Sequence, residues 1–368
     1  MRIVFLTGIW PPDVGGPATH GPDFARFLRD RGHDVRVVTM GDHPPSDLPV
    51  PVESISRSRP FPVRYSQIAL SGARLARSAD VIYATATYAA AAAASIAAAR
   101  PLLVKLVSDP AYERARRYGL FRGSLEDFQA TTESRVRLLK ALRSQSLRRA
   151  RQIVVPSRYL AEIAAGWGLG ATQIEVLLNP APVVVDIDPH ELEAGTFVFV
   201  GRLTAQKALP VALDALARTP GTRLLLVGDG PERSALEEQA QRLGVLGRVR
   251  FVGSVSRDET LRYVAGGLAS ILPSAWENLP HSAVEALAVG APVVATAVGG
   301  VPEVVLDEEN GLLVPPNDAQ ALSVAMGRLL HDGALRARLA SRAAASVEAI
   351  SRDAIYGRLE AILARVAA

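Results

Sequence analysis

Short, continuously apolar runs recur along this chain, alternate with helix-like stretches, and do so in two separate series. The first series occupies residues 3–8, 35–39, 81–83, 102–107 and 153–155; the second occupies 197–201, 223–230, 249–253, 269–274, 291–296 and 311–315. A strand that is apolar on both faces belongs in the middle of a parallel sheet, where helices cover it above and below. Between the first two runs a stretch carrying Phe24, Phe27 and Leu28 on one side leads to a turn at Gly32, so the chain opens with a βαβ unit. Residues 179–195 are rich in proline and acidic side chains, lack a helical period and lie near the midpoint. The pattern predicts two doubly wound α/β domains, 1–182 and 196–352, joined by a linker and hinge at 183–195.

Composition narrows what such a chain can do. With 368 residues and 49% hydrophobic content, each half is long enough to bury its own core. There is no cysteine, which excludes disulfides and thiolate metal sites, and the six histidines are scattered rather than set at ligand spacing, so no metal is expected. No apolar run approaches the roughly 18 residues of a membrane span, and the opening MRIVFLTGIWPP does not read as a signal peptide, so a cytoplasmic location is expected. The net charge of +4 is mild, but Arg135, Arg137, Lys140, Arg143, Arg148, Arg149 and Arg151 gather within 133–151, interleaved with Val136, Leu138, Leu139, Leu142 and Leu147. This basic amphipathic pattern is either a solvated helix face or a peripheral contact with anionic lipid headgroups, at the inner membrane face, or with an anionic acceptor. Nucleic acid is not an expected partner.

In parallel sheets ligands bind beyond the carboxyl ends of the strands, so the residues after each apolar run carry the chemistry. Arg202 and Lys207 lie five apart in GRLTAQKAL, a spacing that turns a planar cation and a point cation toward one anion such as a diphosphate, or leaves two surface cations at a helix start. Glu277 stands in a loop and Glu285 eight residues later in a helix expected to start near Pro280. The amides of Asn278 and Leu279 then face an anion at the positive end of that helix, while two carboxylates near one site suit the vicinal hydroxyls of ribose and hexose. Asp186-Ile187-Asp188 imitates a metal-holding DxD, but it sits in the proposed linker. His33 reads as a turn residue, whereas His20, close behind the Gly15-Gly16 loop, and His281, in the first turn of the helix, are further candidates for the site.

Together, the Pro-rich Gly15-Gly16 loop, RGHDV (31–35), GRLTAQK, VGDGP, FVGSV, PSAWENLPHSAVEALAVGAPVVAT, GGVPEVV and NGLLVPPND resemble, in this order and spacing, the signature of glycosyltransferase family 4 along nearly the whole chain. The resemblance implies the GT-B architecture, two Rossmann-like domains facing across a cleft, with 353–368 a C-terminal helix that packs back on the N-terminal, acceptor-binding domain. It implies a retaining, metal-independent transfer of a glycosyl group from a nucleotide diphosphate sugar, UDP- or GDP-linked, to a lipid-linked saccharide, a polysaccharide or a small molecule, with no cofactor. Under it Arg202 and Lys207 hold the pyrophosphate, Glu285 the ribose and Glu277 the transferred sugar. Amides at Gly15-Gly16, Asn278 and Leu279 complete the cradle, and main-chain groups near Ser254 and Val255 meet the base. Three departures stand out. Ser108-Asp109 occupies the place of a His-Asp pair, which makes Asp109 either a catalytic candidate or a helix cap; Ala208 follows the lysine where glycine is common; and Asn-Leu-Pro follows Glu277 where many members have Phe-Gly. The alternatives are a nucleotide-sugar epimerase of the same architecture, which needs no acceptor, and a non-catalytic nucleotide-sugar binding protein. A dinucleotide-dependent oxidoreductase lacks its G-x-G-x-x-G after the first strand.

Overall fold

The computed structural model of the chain describes residues 1–13, 16–42 and 50–368. They form two compact units, Met1–Leu178 with Ile355–Ala368, and Asn179–Ala354.

In the first unit β1 (Arg2–Thr7), β2 (Asp34–Met40), β3 (Val52–Ile55), β4 (Val81–Thr85), β5 (Leu102–Lys105), β6 (Gln152–Val155) and β7 (Ile174–Val176) build a parallel sheet in the order β3-β2-β1-β4-β5-β6-β7. The central strands are the apolar runs of the sequence. The edge strands β3 and β7, VESI and IEV, escape that reading because an edge strand meets water and mixes charged with apolar residues. One face of the sheet, with Val4, Leu6, Ile82, Ala84, Leu102, Val104, Ile153 and Val155, packs with Ile68, Ala73 and Ala76 of the helix Phe61–Ala76 and with the alanines of the helix Tyr88–Ala98. On the opposite face Phe5 and Tyr83 meet Trp10, Phe24 and His20, and Tyr356 closes the aromatic cluster at 5.1 Å from Phe24. That contact, with Glu360 bonded to His33 and Arg365 to Glu175, explains why residues from Ile355 onward, in the helix Arg352–Ala367, belong to this unit.

In the second unit β8 (Thr196–Val200), β9 (Arg223–Val227), β10 (Val249–Gly253), β11 (Ala269–Leu272), β12 (Val293–Thr296) and β13 (Gly311–Val314) form a parallel sheet in the order β10-β9-β8-β11-β12-β13. The order reverses between β8 and β11, which opens a crevice at their carboxyl ends. The chain enters this unit at Asn179, a few residues before the boundary the composition suggested. Asn179 donates to the carbonyl of Leu279, and the amide of Ala181 to that of Ile350, so 179–181 are already tied to the second unit. The expected linker, 183–195, has no regular element, but its later part is also anchored: Asp188 pairs with Arg262, and His190 bonds Glu259 and stacks on Tyr263.

Candidate functional site

At the end of β8 the chain runs over the end of β9 with almost no clearance. A Cβ on Gly228 would lie 2.0 Å from the carbonyl oxygen of Gly201, so only glycine admits the crossing. The amides of Gly201 and Leu203 donate to the carbonyls of Val227 and Asp229, extending the ladder into the loop. The following turn is pinned to the loop after β11: Gln206 donates to the carbonyl of Trp276, and the amide of Ala275 to that of Gln206. This double tie brings Lys207 onto Glu277, where the ammonium and carboxylate form a close ion pair. Ser274 donates to the same Glu277 oxygen at 2.8 Å, and the carboxylate is buried. Two residues 70 apart in sequence thus share one point at the switch of the sheet. Arg202 is exposed on the same loop and makes no side-chain bond among those of the described residues.

The helix after Glu277 runs from His281 to Ala288, one residue later than expected, with Pro280 outside it as the extended N-cap residue. Pro280 supplies no side-chain cap to that end of the helix, which begins four residues after Glu277. Asn278 and His281 are partly exposed there, and Leu279 is buried. Glu285, on the second turn, accepts from Arg257 at 3.2 Å. Burial pushes the Glu285 carboxyl above its ordinary range, and Arg257 opposes the shift. Arg257 had no signal in the sequence: it is the first residue of a helix capped by Ser256, and only the fold carries it to Glu285. Ser254 and Val255 are exposed on the loop leading to that helix. Along the carboxyl-end loops and the helix that follows β11, the second unit thus carries two acid–base pairs, Lys207 with Glu277 and Arg257 with Glu285, and the exposed Arg202, groups chemically able to hold a diphosphate and polyhydroxyl groups.

The remaining expected residues lie in the first unit. Gly15 lies outside the described residues, and Gly16 is the first residue of the helix Gly16–Asp30. His20 is buried, bonded to the Tyr83 hydroxyl at 3.2 Å and stacked on Phe24, which makes it part of the core. Asp109 takes the helix-cap alternative. It is 1% exposed; one oxygen caps the helix Pro110–Arg117 through the amides of Ala111 and Tyr112, and the other accepts from Gln129 and, at 2.6 Å, from Arg143. Four donors thus engage that carboxylate inside the first unit. Arg143 is correspondingly buried and lies over the Trp167 ring, so one cation of the basic helix, Ser134–Arg148, faces inward, and Lys140 donates to the carbonyls of Gln129 and Thr131. Arg135, Arg137, Leu138, Leu142 and Arg148 face solvent. Asp186 and Asp188 are exposed, the latter paired with Arg262.

Residues 187–346 match the family model for glycosyl transferases group 1, and residues 15–180 that for the glycosyl transferase 4-like domain. The chain is 37% identical over 177 residues to the lipopolysaccharide core biosynthesis glycosyltransferase LpsE of Rhizobium meliloti, an alignment covering 47% of this chain and 52% of that protein. It is 28% identical to the glycogen synthase of Mycobacterium tuberculosis, over 93% of this chain and 89% of the other. Among solved structures, Anabaena HepE in complex with UDP superimposes with a TM-score of 0.80 at 24% identity, over 99% of this chain and 100% of its own. Sucrose-phosphate synthase from Thermosynechococcus elongatus does so at 0.78 and 22%, over 99% and 98%. The two parallel-sheet units are those of the GT-B fold.

Proposed function

The chain belongs to the group 1 glycosyltransferases, and on that premise we propose that it moves a hexosyl group from a nucleoside diphosphate sugar, UDP- or GDP-linked, to an acceptor hydroxyl with retention and without a metal. The observation that carries the reading is the meeting of Lys207 with Glu277, four residues before the His281–Ala288 helix. An ammonium has three donors, so Lys207 keeps its bond to Glu277 while turning another toward a diphosphate oxygen. Arg202 supplies a second cation, and the backbone around Asn278 and Leu279 supplies amides. Fixed positive charge then stands where negative charge develops as the diphosphate departs, the role a metal plays in other transferases. Glu277 accepts hydroxyls of the transferred sugar and Glu285 those of the ribose, exchanging Arg257 for them. Ser254 and Val255 present main-chain groups to the base. That HepE was crystallised with UDP and with UDP-glucose supports a uridine donor.

The acceptor is assigned to the first unit, as a lipid-linked saccharide, a polysaccharide or a small molecule. Among the described residues no helix is long and apolar enough to cross a membrane. The exposed Arg135, Arg137, Leu138, Leu142 and Arg148 support a peripheral contact of a cytoplasmic protein with anionic lipid. Thermal unfolding with UDP, GDP, ADP and TDP and their sugars, in EDTA, tests the donor site. The expected result is a raised midpoint with one diphosphate, lost in Arg202→Ala and Glu285→Ala. No rise with any of them removes the donor reading. Proton NMR of the first-formed glycoside then reads retention, and a sugar altered without acceptor would instead identify an epimerase.

A further inference from the structure

Residues at the carboxyl ends of four neighbouring strands in the first unit form a polar row that the donor chemistry does not use. Thr85 of β4 pairs in register with Thr7 of β1 on one side and with Lys105 of β5 on the other, and Thr39 of β2 stands one step beyond the Leu6–Val38 pairing. Alternation places their side chains opposite Val4, Leu6, Ala84 and Val104, on the face of Phe5 and Tyr83. Thr85 donates to Thr7, and Thr7 to the carbonyl of Ile9, so the hydroxyl protons run away from Lys105 and leave the Thr85 oxygen open on its side. Lys105 is 1% exposed, and among the described residues its Nζ has no hydrogen-bond partner. The nearest acid along the chain, Asp109, is consumed by Arg143. The hydroxyls of Thr39 and of Thr87, on the turn after β4, are likewise buried without partners among the described residues. In that turn Ala86 holds φ 64°, a left-handed backbone at a non-glycine residue, and a Cβ on Gly8 would lie 3.1 Å from Ala86. The turns that follow β1 and β4 thus meet, with Thr87 beside Gly8, at the sheet end where parallel folds bind ligands.

The choice of lysine is itself informative. Of the 41 basic Lys and Arg residues only three, at 105, 140 and 207, are lysines. A chain so biased toward arginine keeps an amine where a guanidinium fails: arginine stays charged when buried, whereas a buried amine can be neutral when empty and charged when an anion arrives. Burial holds the Lys105 amine down to about 7.

We propose that Lys105, with the Thr87 hydroxyl as a second donor, is the recognition subsite for an oxyanion, carboxylate or phosphate, carried by the acceptor; the Thr85 oxygen, whose proton goes to Thr7, accepts from the ammonium and not from the ligand. The ligand makes the amine an ammonium and pairs it, satisfying donors and acceptors that the chain leaves unmet. The identity of the ligand as acceptor rests on the transferase reading above; the anion subsite itself does not.

The test uses the full chain labelled with [13Cε]lysine, whose three signals are assigned with Lys105→Met and Lys207→Met. The Lys105 signal is titrated with pH alone, with inorganic phosphate and with glucuronate. The expected result is a titration midpoint near 7 without anion that rises by at least one unit with one of the two, a tenfold preference for the ammonium form. The anion that produces the shift names the acceptor class. Because the Lys207 signal reports the second unit in the same spectra, loss of the donor reading and loss of this one are separately visible. A Lys105 signal titrating at the ordinary lysine value without anion, or unmoved by both anions in the folded protein, overturns the proposal.

Discussion

Ala208 adopts φ 45° and ψ 37° immediately after Lys207, a left-handed conformation that costs an alanine about 1 kcal/mol. The turn is held there by the ties between Gln206 and the loop after β11, and it aims Lys207 at Glu277. Glycine is free of that cost but loses more entropy on folding, so Ala208→Gly is expected to change stability by less than about 1 kcal/mol in denaturant titrations, in the stabilising direction, and Ala208→Val to lower it. The neighbouring Glu285 carries its own signature. Burial raises its pKa, so the carboxylate proposed to accept ribose hydroxyls is lost, as pH falls, at a pH above the ordinary range. Nucleoside diphosphate affinity, followed by calorimetry against pH, is expected to decline there, and Arg257→Met, which removes the opposing cation, is expected to move the decline to higher pH. Residue identity made Glu285 legible in the sequence. Its counter-ion was illegible, because Arg257 reaches it from another helix and no short spacing records that meeting.

At the scale of elements, Asp109 shows how one position can satisfy a motif and serve the fold instead. Its carboxylate caps the helix Pro110–Arg117 and anchors the helix Ser134–Arg148 through Arg143, while Gln129 bridges Asp109 and the Trp167 indole. Removing one member of a buried pair leaves the other charged and unmatched, at a cost of roughly 3–5 kcal/mol. Asp109→Ala is expected to lower stability by about that amount, and Asp109→Ala with Arg143→Met to recover a large part of it, as chemical denaturation of the four-protein cycle will show. Recovery is expected without any special loss of turnover beyond that due to unfolding; a catalytic Asp109 would keep the double variant folded but inactive. The basic pattern at 133–151 was legible as a helix, yet which cation turns inward depends on Asp109, 34 residues away from Arg143.

For the whole molecule, the buried Lys105 amine makes stability depend on pH. Its native pKa lies near 7 against an ordinary 10.5, so below 7 both states carry the proton and the full cost of burying the charge is felt. Between 7 and 10.5 the unfolded chain binds a proton that the native one does not, and stability rises with pH, at roughly 1.4 kcal/mol per unit. The difference between the wild type and Lys105→Met, by denaturant titration from pH 6 to 10, isolates this slope from the other titrating groups; equal slopes in the two proteins would deny it. The sequence by itself determined the two parallel sheets, because a strand covered on both faces must be apolar throughout, and it determined the order of the motifs at the strand ends, because glycines and charged residues there interrupt the runs. Tertiary structure decided the rest: that Lys207 meets Glu277, that Arg257 holds Glu285, that Asp109 and His20 belong to the interior, and that Lys105 ends its strand with no partner among the described residues. Those outcomes depend on which side chains from distant segments reach the same few ångströms, and on how much water remains there, and neither is encoded in local spacing.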